Sequence, residues 1–230
     1  MTESERQLKK NIEEFSVLAT KVADDPNSKN VHQLRILSRK LRAALWVYSK
    51  GSKIQPPPRL KKNLRALGKI LGTNRELDVL LKDMETYKLK DKKSEKKKDK
   101  EFQKLPKFLK KSFRSDLESD LRVFLTKTHG VSLVKKDLLV QIKKGIGKWP
   151  KEIPDDKKAL HEIRIETKKM IYRMEILSVK APLLKSLQKS LGRTHDLERL
   201  QKKVGAHKKV DHDMELLLKR AETSYKKITA

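Results

Sequence analysis

Val31-His32-Gln33-Leu34-Arg35-Ile36-Leu37-Ser38-Arg39-Lys40 is matched later in the chain by Leu160-His161-Glu162-Ile163-Arg164-Ile165-Glu166-Thr167-Lys168-Lys169. Both stretches carry an apolar residue two places after the histidine and basic residues three, seven and eight places after it. A second motif follows each one: Leu71-Gly72-Thr73-Asn74-Arg75-Glu76-Leu77-Asp78 aligns with Leu191-Gly192-Arg193-Thr194-His195-Asp196-Leu197-Glu198. Two linked motifs repeated in one order imply an internal duplication. A duplicated fold with pseudo-two-fold symmetry can turn two basic surfaces toward one ligand.

At about 100° per residue the first stretch separates into two faces. Leu34, Leu37, Leu41, Ala44 and Tyr48 gather on one side, and His32, Arg35, Arg39 and Arg42 share an arc nearly opposite. The second stretch repeats the layout. Ile163, Met170, Met174 and Leu177 form its apolar stripe, and His161, Arg164 and Lys168 form the other strip, joined by Tyr172. Cations three and four residues apart on a helix repel, so such a row costs stability unless solvent or a counter-anion relieves it. A solvated outer face accounts for charge alone. It does not account for a histidine in the same register twice, or for the choice of arginine, whose planar fork grips phosphate oxygens at two points. Neutral histidine donates one hydrogen bond to phosphate and protonated histidine two. Phosphate binding is therefore expected to favour the protonated ring, with affinity falling as pH rises through neutrality.

Composition points the same way. Of 230 residues, 58 are Lys or Arg and 30 are Asp or Glu, a formal net charge of +28. That excess predicts a polyanionic partner: nucleic acid, a chain of phosphates or an anionic membrane surface. Aromatic residues make up only 5%, which disfavours single-strand binding by base stacking and leaves nucleic acid as a weaker competitor. Few bulky apolar residues flank the basic arcs, so no membrane anchor is expected. There is no cysteine, which removes disulfides and thiolate metal sites. The N-terminal residues lack an apolar signal region and no apolar run approaches a membrane span, so a cytoplasmic protein is expected.

Helical periodicity dominates, and the expected fold is all-α. Apolar spacing marks helices over Leu8–Val22, from about Asn30 to Ser49, and from Pro56-Pro57-Pro58 through Leu60, Leu64, Leu67 and Leu71. Gly72 is expected to end that last helix, and Thr73 with Glu76 has capping-box spacing for the next. Lys88 to Lys100 reads as a solvated linker or a frayed join of two helices. A fifth helix is expected to carry Phe108, Phe113, Leu117, Leu121 and Leu125 and to end near Gly130. The order then repeats: Val131–Lys144, a loop at Trp149-Pro150 and Pro154, Asp156–Ser178, Pro182–Gly192, another helix after Gly192, and about His207 to Ile228. One domain over 1–230 is expected, built from half-repeats 1–129 and 130–230 of four to five helices each.

The Leu-Gly motif would place Arg75 and His195 in a first helical turn, beside free backbone donors. Asp78, Glu76 and Asp196 are expected to serve the fold. His195-Asp196, with His161, Asp211 and Asp213, also has the residue types of a helical metal-dependent phosphohydrolase. The first repeat holds Arg75-Glu76 where His195-Asp196 stands, and arginine does not ligate metals, so the duplication explains these residues without a metal. No glycine-rich phosphate loop is present.

The paired motifs His32-x-x-Arg35-x-x-x-Arg39-Lys40 with Leu71-Gly72-x-x-Arg75-Glu76-Leu77-Asp78, and His161-x-x-Arg164-x-x-x-Lys168-Lys169 with Leu191-Gly192-x-x-His195-Asp196-Leu197, resemble the CHAD family, the conserved histidine α-helical domain. The resemblance covers nearly the whole chain. It implies two helical bundles related by pseudo-two-fold symmetry around a basic central cavity, and binding of inorganic polyphosphate there. Arg35, Arg39, Lys40, Arg42, Arg164, Lys168 and Lys169 would clamp oxygens, with His32, His161 and His195 donating hydrogen bonds. Arg65, Arg75, Tyr172, Lys185 and Arg193 would extend the track. Family members often carry arginine before the tyrosine of the second histidine helix, where this chain has Ile171. The Glu-x-Glu-x-Lys signature of the triphosphate tunnel domain that accompanies some CHAD proteins is absent from the sequence. The expectation is a non-catalytic binder without a cofactor.

Overall fold

The computed structural model of the protein describes residues 2–229. Among them are nine α-helices and no strand: α1 Glu3–Asp24, α2 Ser28–Gly51, α3 Pro58–Thr86, α4 Lys92–Phe108, α5 Lys111–Lys127, α6 Lys135–Ile146, α7 Lys157–Ile176, α8 Pro182–Val204 and α9 Lys208–Thr229. They form two compact units. One comprises residues 1–81, 91–135 and 176–178; the other comprises 82–90, 136–175 and 179–230.

In the first unit the apolar stripes foreseen for α1, α2 and α3 are the core. Leu8, Phe15 and Val22 of α1, Leu34, Leu41 and Tyr48 of α2, and Leu60, Leu64, Leu67 and Leu71 of α3 are buried. The Tyr48 ring meets Phe124 of α5 edge-on, with centroids 5.9 Å apart. Truncating one of these leucines to alanine should cost about 2–5 kcal/mol. Polar contacts fix the ends. Thr2 and Glu5 form a capping box at the start of α1, and buried Glu5 also meets His129 Nδ1 at 2.6 Å. Arg59 at the start of α3 donates two hydrogen bonds to Asp120 of α5 at 3.0 and 3.1 Å.

The second unit is built on α8 against α9. Ile163, Leu187, Leu191, Ala221 and Tyr225 form its core cluster, with Trp149 and Ile153 packed on it. Trp149 stacks on Tyr225 at 5.6 Å, and the Tyr225 hydroxyl donates to the Pro150 carbonyl at 2.7 Å. The Trp-Pro loop is thus a fastener for the end of α9.

Two expected helix breaks do not occur. α3 runs straight through Gly72, and α8 through Gly192. Neither glycine has a positive φ. Thr73 does not cap: its hydroxyl donates to the Lys69 carbonyl one turn back. Asn74, fully buried, donates its amide to the Ile70 carbonyl. The physical reason is that burial continues beyond Gly72: Asn74 and Asp78 extend the Leu60–Leu71 face, and Leu77, Leu80 and Met84 are buried about 100–160° further round the helix. Burial on both sides of Gly72 outweighs the roughly 1 kcal/mol that an internal glycine costs. Arg75 and His195 consequently lie in helix interiors, where the backbone donors are already used. The Lys-rich segment also differs from its expectation. From Lys92 it is helical, started by Asp91, whose carboxylate accepts from the Lys93 backbone at 3.1 Å.

Candidate functional site

In the first unit α2 presents His32, Arg35 and Arg39, all half-buried. α3 brings Arg75 to the same place. The His32 pKa is lowered by burial first, then by the charges of Arg75, Arg35 and Arg39, while Asp78 acts in the opposite direction. The two motifs of the first repeat therefore converge within one unit. The buried His32 Nδ1 has no hydrogen-bond partner among the described residues. Asp78, itself buried, accepts from the Ser28 hydroxyl and the Lys98 ammonium, each at 2.8 Å. The strip extends to Arg42, whose pKa is lowered by desolvation and by Arg39 and Arg65. Arg42 retains exposed surface, but one face of its guanidinium lies against Gly68: a Cβ there would stand 3.1 Å from Nη1. Arg42, Arg39 and Arg65 thus lie within electrostatic reach of one another. Lys40 is not on this arc: it stands about 80° round α2 from His32, on the side away from Arg35.

In the second unit α7 and α8 repeat the arrangement. The His161 and His195 rings lie 5.2 Å apart, and Arg164 Nη2 is 3.4 Å from His161 Nδ1. A small hollow there is lined by Lys157, Leu160, His161, Arg164, Leu191, Thr194, His195 and Glu198. Burial, then Arg164, His161, Arg199 and Lys168, push the His195 pKa down to about 4. His195 is accordingly neutral at pH 7. Asp196 is half-buried in α8, and its pKa is raised by burial and by Asp83 against the pull of Lys168, Arg164 and Arg193.

Arg193, Lys169 and Lys185 lie apart from the two histidine strips. Arg193 is turned to the opposite side of α8 from His195, and its guanidinium donates to Asp83, a carboxylate 6% exposed. Lys169 pairs with Glu166 one turn back on α7. Lys185 is exposed near the start of α8, about two turns before Gly192. Tyr172 is half-buried, on the His161 side of α7. Ile171, at the position where CHAD proteins often carry arginine, is buried. Sequence reasoning missed Arg199, one turn after His195 on the same face, and Lys157, one turn before His161. Helical spacing of four from each histidine was the available signal. The acids of the phosphohydrolase reading are occupied separately. Asp213 accepts from the Tyr87 hydroxyl at 2.5 Å and Asp211 from the Gln201 amide. Among the described residues no group of three or more His, Asp or Glu is placed to hold a metal ion.

Each unit therefore sets two or more arginines around a largely neutral imidazole, an arrangement suited to charge-assisted hydrogen bonds with oxyanions. The CHAD domain family model matches residues 6–218. This chain belongs to the CHAD domain family. The crystal structure of the CHAD domain from the plant Ricinus communis superposes with a TM-score of 0.67 at 22% identity, over 93% of this chain and 83% of that one. No curated protein matches the chain in sequence. No helix among the described residues is long and apolar enough to cross a membrane.

Proposed function

We propose that this CHAD protein binds inorganic polyphosphate without cleaving it, in a basic channel lined by the histidine and arginine strips of both repeats. The observation that carries the reading is the crowding of cations around each half-buried histidine. Arg75, Arg35 and Arg39 act on His32, and Arg164, Arg199 and Lys168 act on His195. Like charges held this close are relieved by a multivalent anion. A cytoplasmic setting, where polyphosphate is available to a protein without disulfides, belongs to the same proposal.

Mechanistically, Arg35, Arg39, Arg42, Arg75, Arg164 and Lys168 neutralise phosphoryl oxygens and release counterions, so affinity falls steeply with salt. An arriving anion offsets the cations that depress His32 and His195, raises their pKa values and draws protons onto the rings. Protonation then strengthens the grip, so affinity rises on acidification. The rise starts at the raised pKa of the complex and levels off near the free-protein value, which for His195 is about 4.

The test is calorimetric titration with long-chain polyphosphate at several salt concentrations, with DNA duplex and single strands of matched charge as competitors. A steep salt dependence and failure of nucleic acid to displace polyphosphate at equal concentration are expected. Displacement by either nucleic acid would transfer the reading to nucleic-acid binding.

A further inference from the structure

Helix α4 carries a second cationic surface. Of its seventeen residues only Ser94 and Leu105 are buried. On a wheel of about 100° per residue, Lys92, Lys96, Lys100, Lys104 and Lys107, with Lys93 and Lys97 at one edge, fall within an arc of about 140°. All seven are exposed. The opposite side, with Ser94, Lys98, Phe102 and Leu105, fastens the helix to its unit. Lys98 lies 2.8 Å from Asp78 and 5.4 Å from the Phe102 ring centroid. Asp78 is the carboxylate whose charge reaches His32. The single lysine on the inner side thus anchors α4, and the lysine arc points away from that anchor.

Lysine repulsion at spacings of three and four residues disfavours such a face in an isolated helix. Lys104 meets Glu101 at 2.6 Å, but Glu95 and Asp99 lie outside the arc. We propose that the outer lysine face of α4 is a second binding surface for polyphosphate, separate from the histidine strips, which holds the part of a long chain that extends beyond them. This rests on polyphosphate being the ligand of the strips. Charge complementarity selects a polyanion. The chemistry of the arc selects a linear one without bases: it has lysines and no arginine fork, and no aromatic side chain on which a base could stack. It also lacks the large apolar residues that would enter a lipid surface. Two surfaces engaging one chain act through effective concentration, so the second gains weight only when the ligand is long enough to reach both.

The test uses the full chain with Lys92→Gln, Lys96→Gln, Lys100→Gln and Lys107→Gln combined. These exposed positions keep good helix formers, and an unchanged circular dichroism spectrum and melting temperature verify the fold. Binding is measured with polyphosphate of about ten units and of several hundred units. Short-chain affinity is expected to stay within about twofold, while long-chain affinity falls about tenfold or more and the log–log salt slope shrinks by up to about 3. Unchanged long-chain affinity overturns the proposal, as does an equal loss for both lengths, which would merge α4 with the strips. If the variant instead loses binding to single-stranded RNA or to anionic vesicles while keeping polyphosphate, the face belongs to that partner. Failure of the parent protein to bind short chains would sink the strip reading, leaving the α4 outcome to be read from long chains alone.

Discussion

Replacing His195 with glutamine should change how the stability of the free protein depends on pH. In the fold the His195 pKa is about 4, against an ordinary value of 6.5. The unfolded chain therefore binds a proton that the folded chain refuses in the window between those values. Stability rises with pH wherever the unfolded state holds more protons. The His195 contribution is thus complete above pH 6.5 and is lost as pH falls toward 4. From pH 7.5 to pH 5 the loss works out at about 2 kcal/mol, at 1.36 kcal/mol per pKa unit across about 1.5 units. The side chain is 28% exposed, so screening reduces that figure only modestly. Urea unfolding at the two pH values measures it. The parent should lose about 2 kcal/mol more than His195→Gln on acidification, because the amide has no proton to take up. Equal losses would refute the claim that burial and the surrounding arginines hold this ring neutral. Adding polyphosphate at pH 5 should recover the difference in the parent, since the anion restores the proton's welcome.

Gly72→Ala should stabilise the protein by up to about 1 kcal/mol, because the glycine is inside α3 and nothing lies within 4 Å of the added methyl; a drop in melting temperature would mean that the helix needs glycine there. Asp83→Ala should destabilise by about 2–3 kcal/mol in chemical denaturation, less than a wholly buried pair because the Arg193 side chain is 33% exposed. In the same variant the Asp196 carboxyl, read by NMR titration, should move down in pKa, since a like charge that raises it is gone.

The helix stripes were legible where burial repeats every three or four residues. α1, α2 and α7 follow from Leu8 to Val22, Leu34 to Tyr48 and Ile163 to Leu177, and the histidine arcs fall opposite their stripes as the wheel requires. The Leu-Gly motif misled because its signals are local. Gly72, Thr73 and Glu76 spell a turn and a cap, yet the face of Leu60–Leu71 stays buried through Asn74 and Asp78, Leu77, Leu80 and Met84 bury a second face, and long-range burial prevails. Asn74 and Asp78 obscured that continuity by placing polar groups on the buried face. Each has a partner the motif does not contain: the Asn74 amide donates to the Ile70 carbonyl, and Asp78 Oδ1 meets Ser28 and Lys98. Arg193 was assigned to the ligand track because its acceptor, Asp83, is 110 residues away in sequence. A single sequence offers no signal for such a pair. The helicity of α4 was available in principle, since lysine and glutamate are good helix formers and Asp91 caps the start. Its sparse apolar face hid it.

The measurement that bears most directly on one polyphosphate chain gripped by both repeats is calorimetric titration of the parent, Arg35→Ala, Arg164→Ala and the double variant. Each single substitution is predicted to weaken binding by about 1.5–3 kcal/mol, the worth of a hydrogen bond to a charged group, with the number of chains bound unchanged. Halved stoichiometry at unchanged affinity, or a full-strength complex in either single variant, would contradict it.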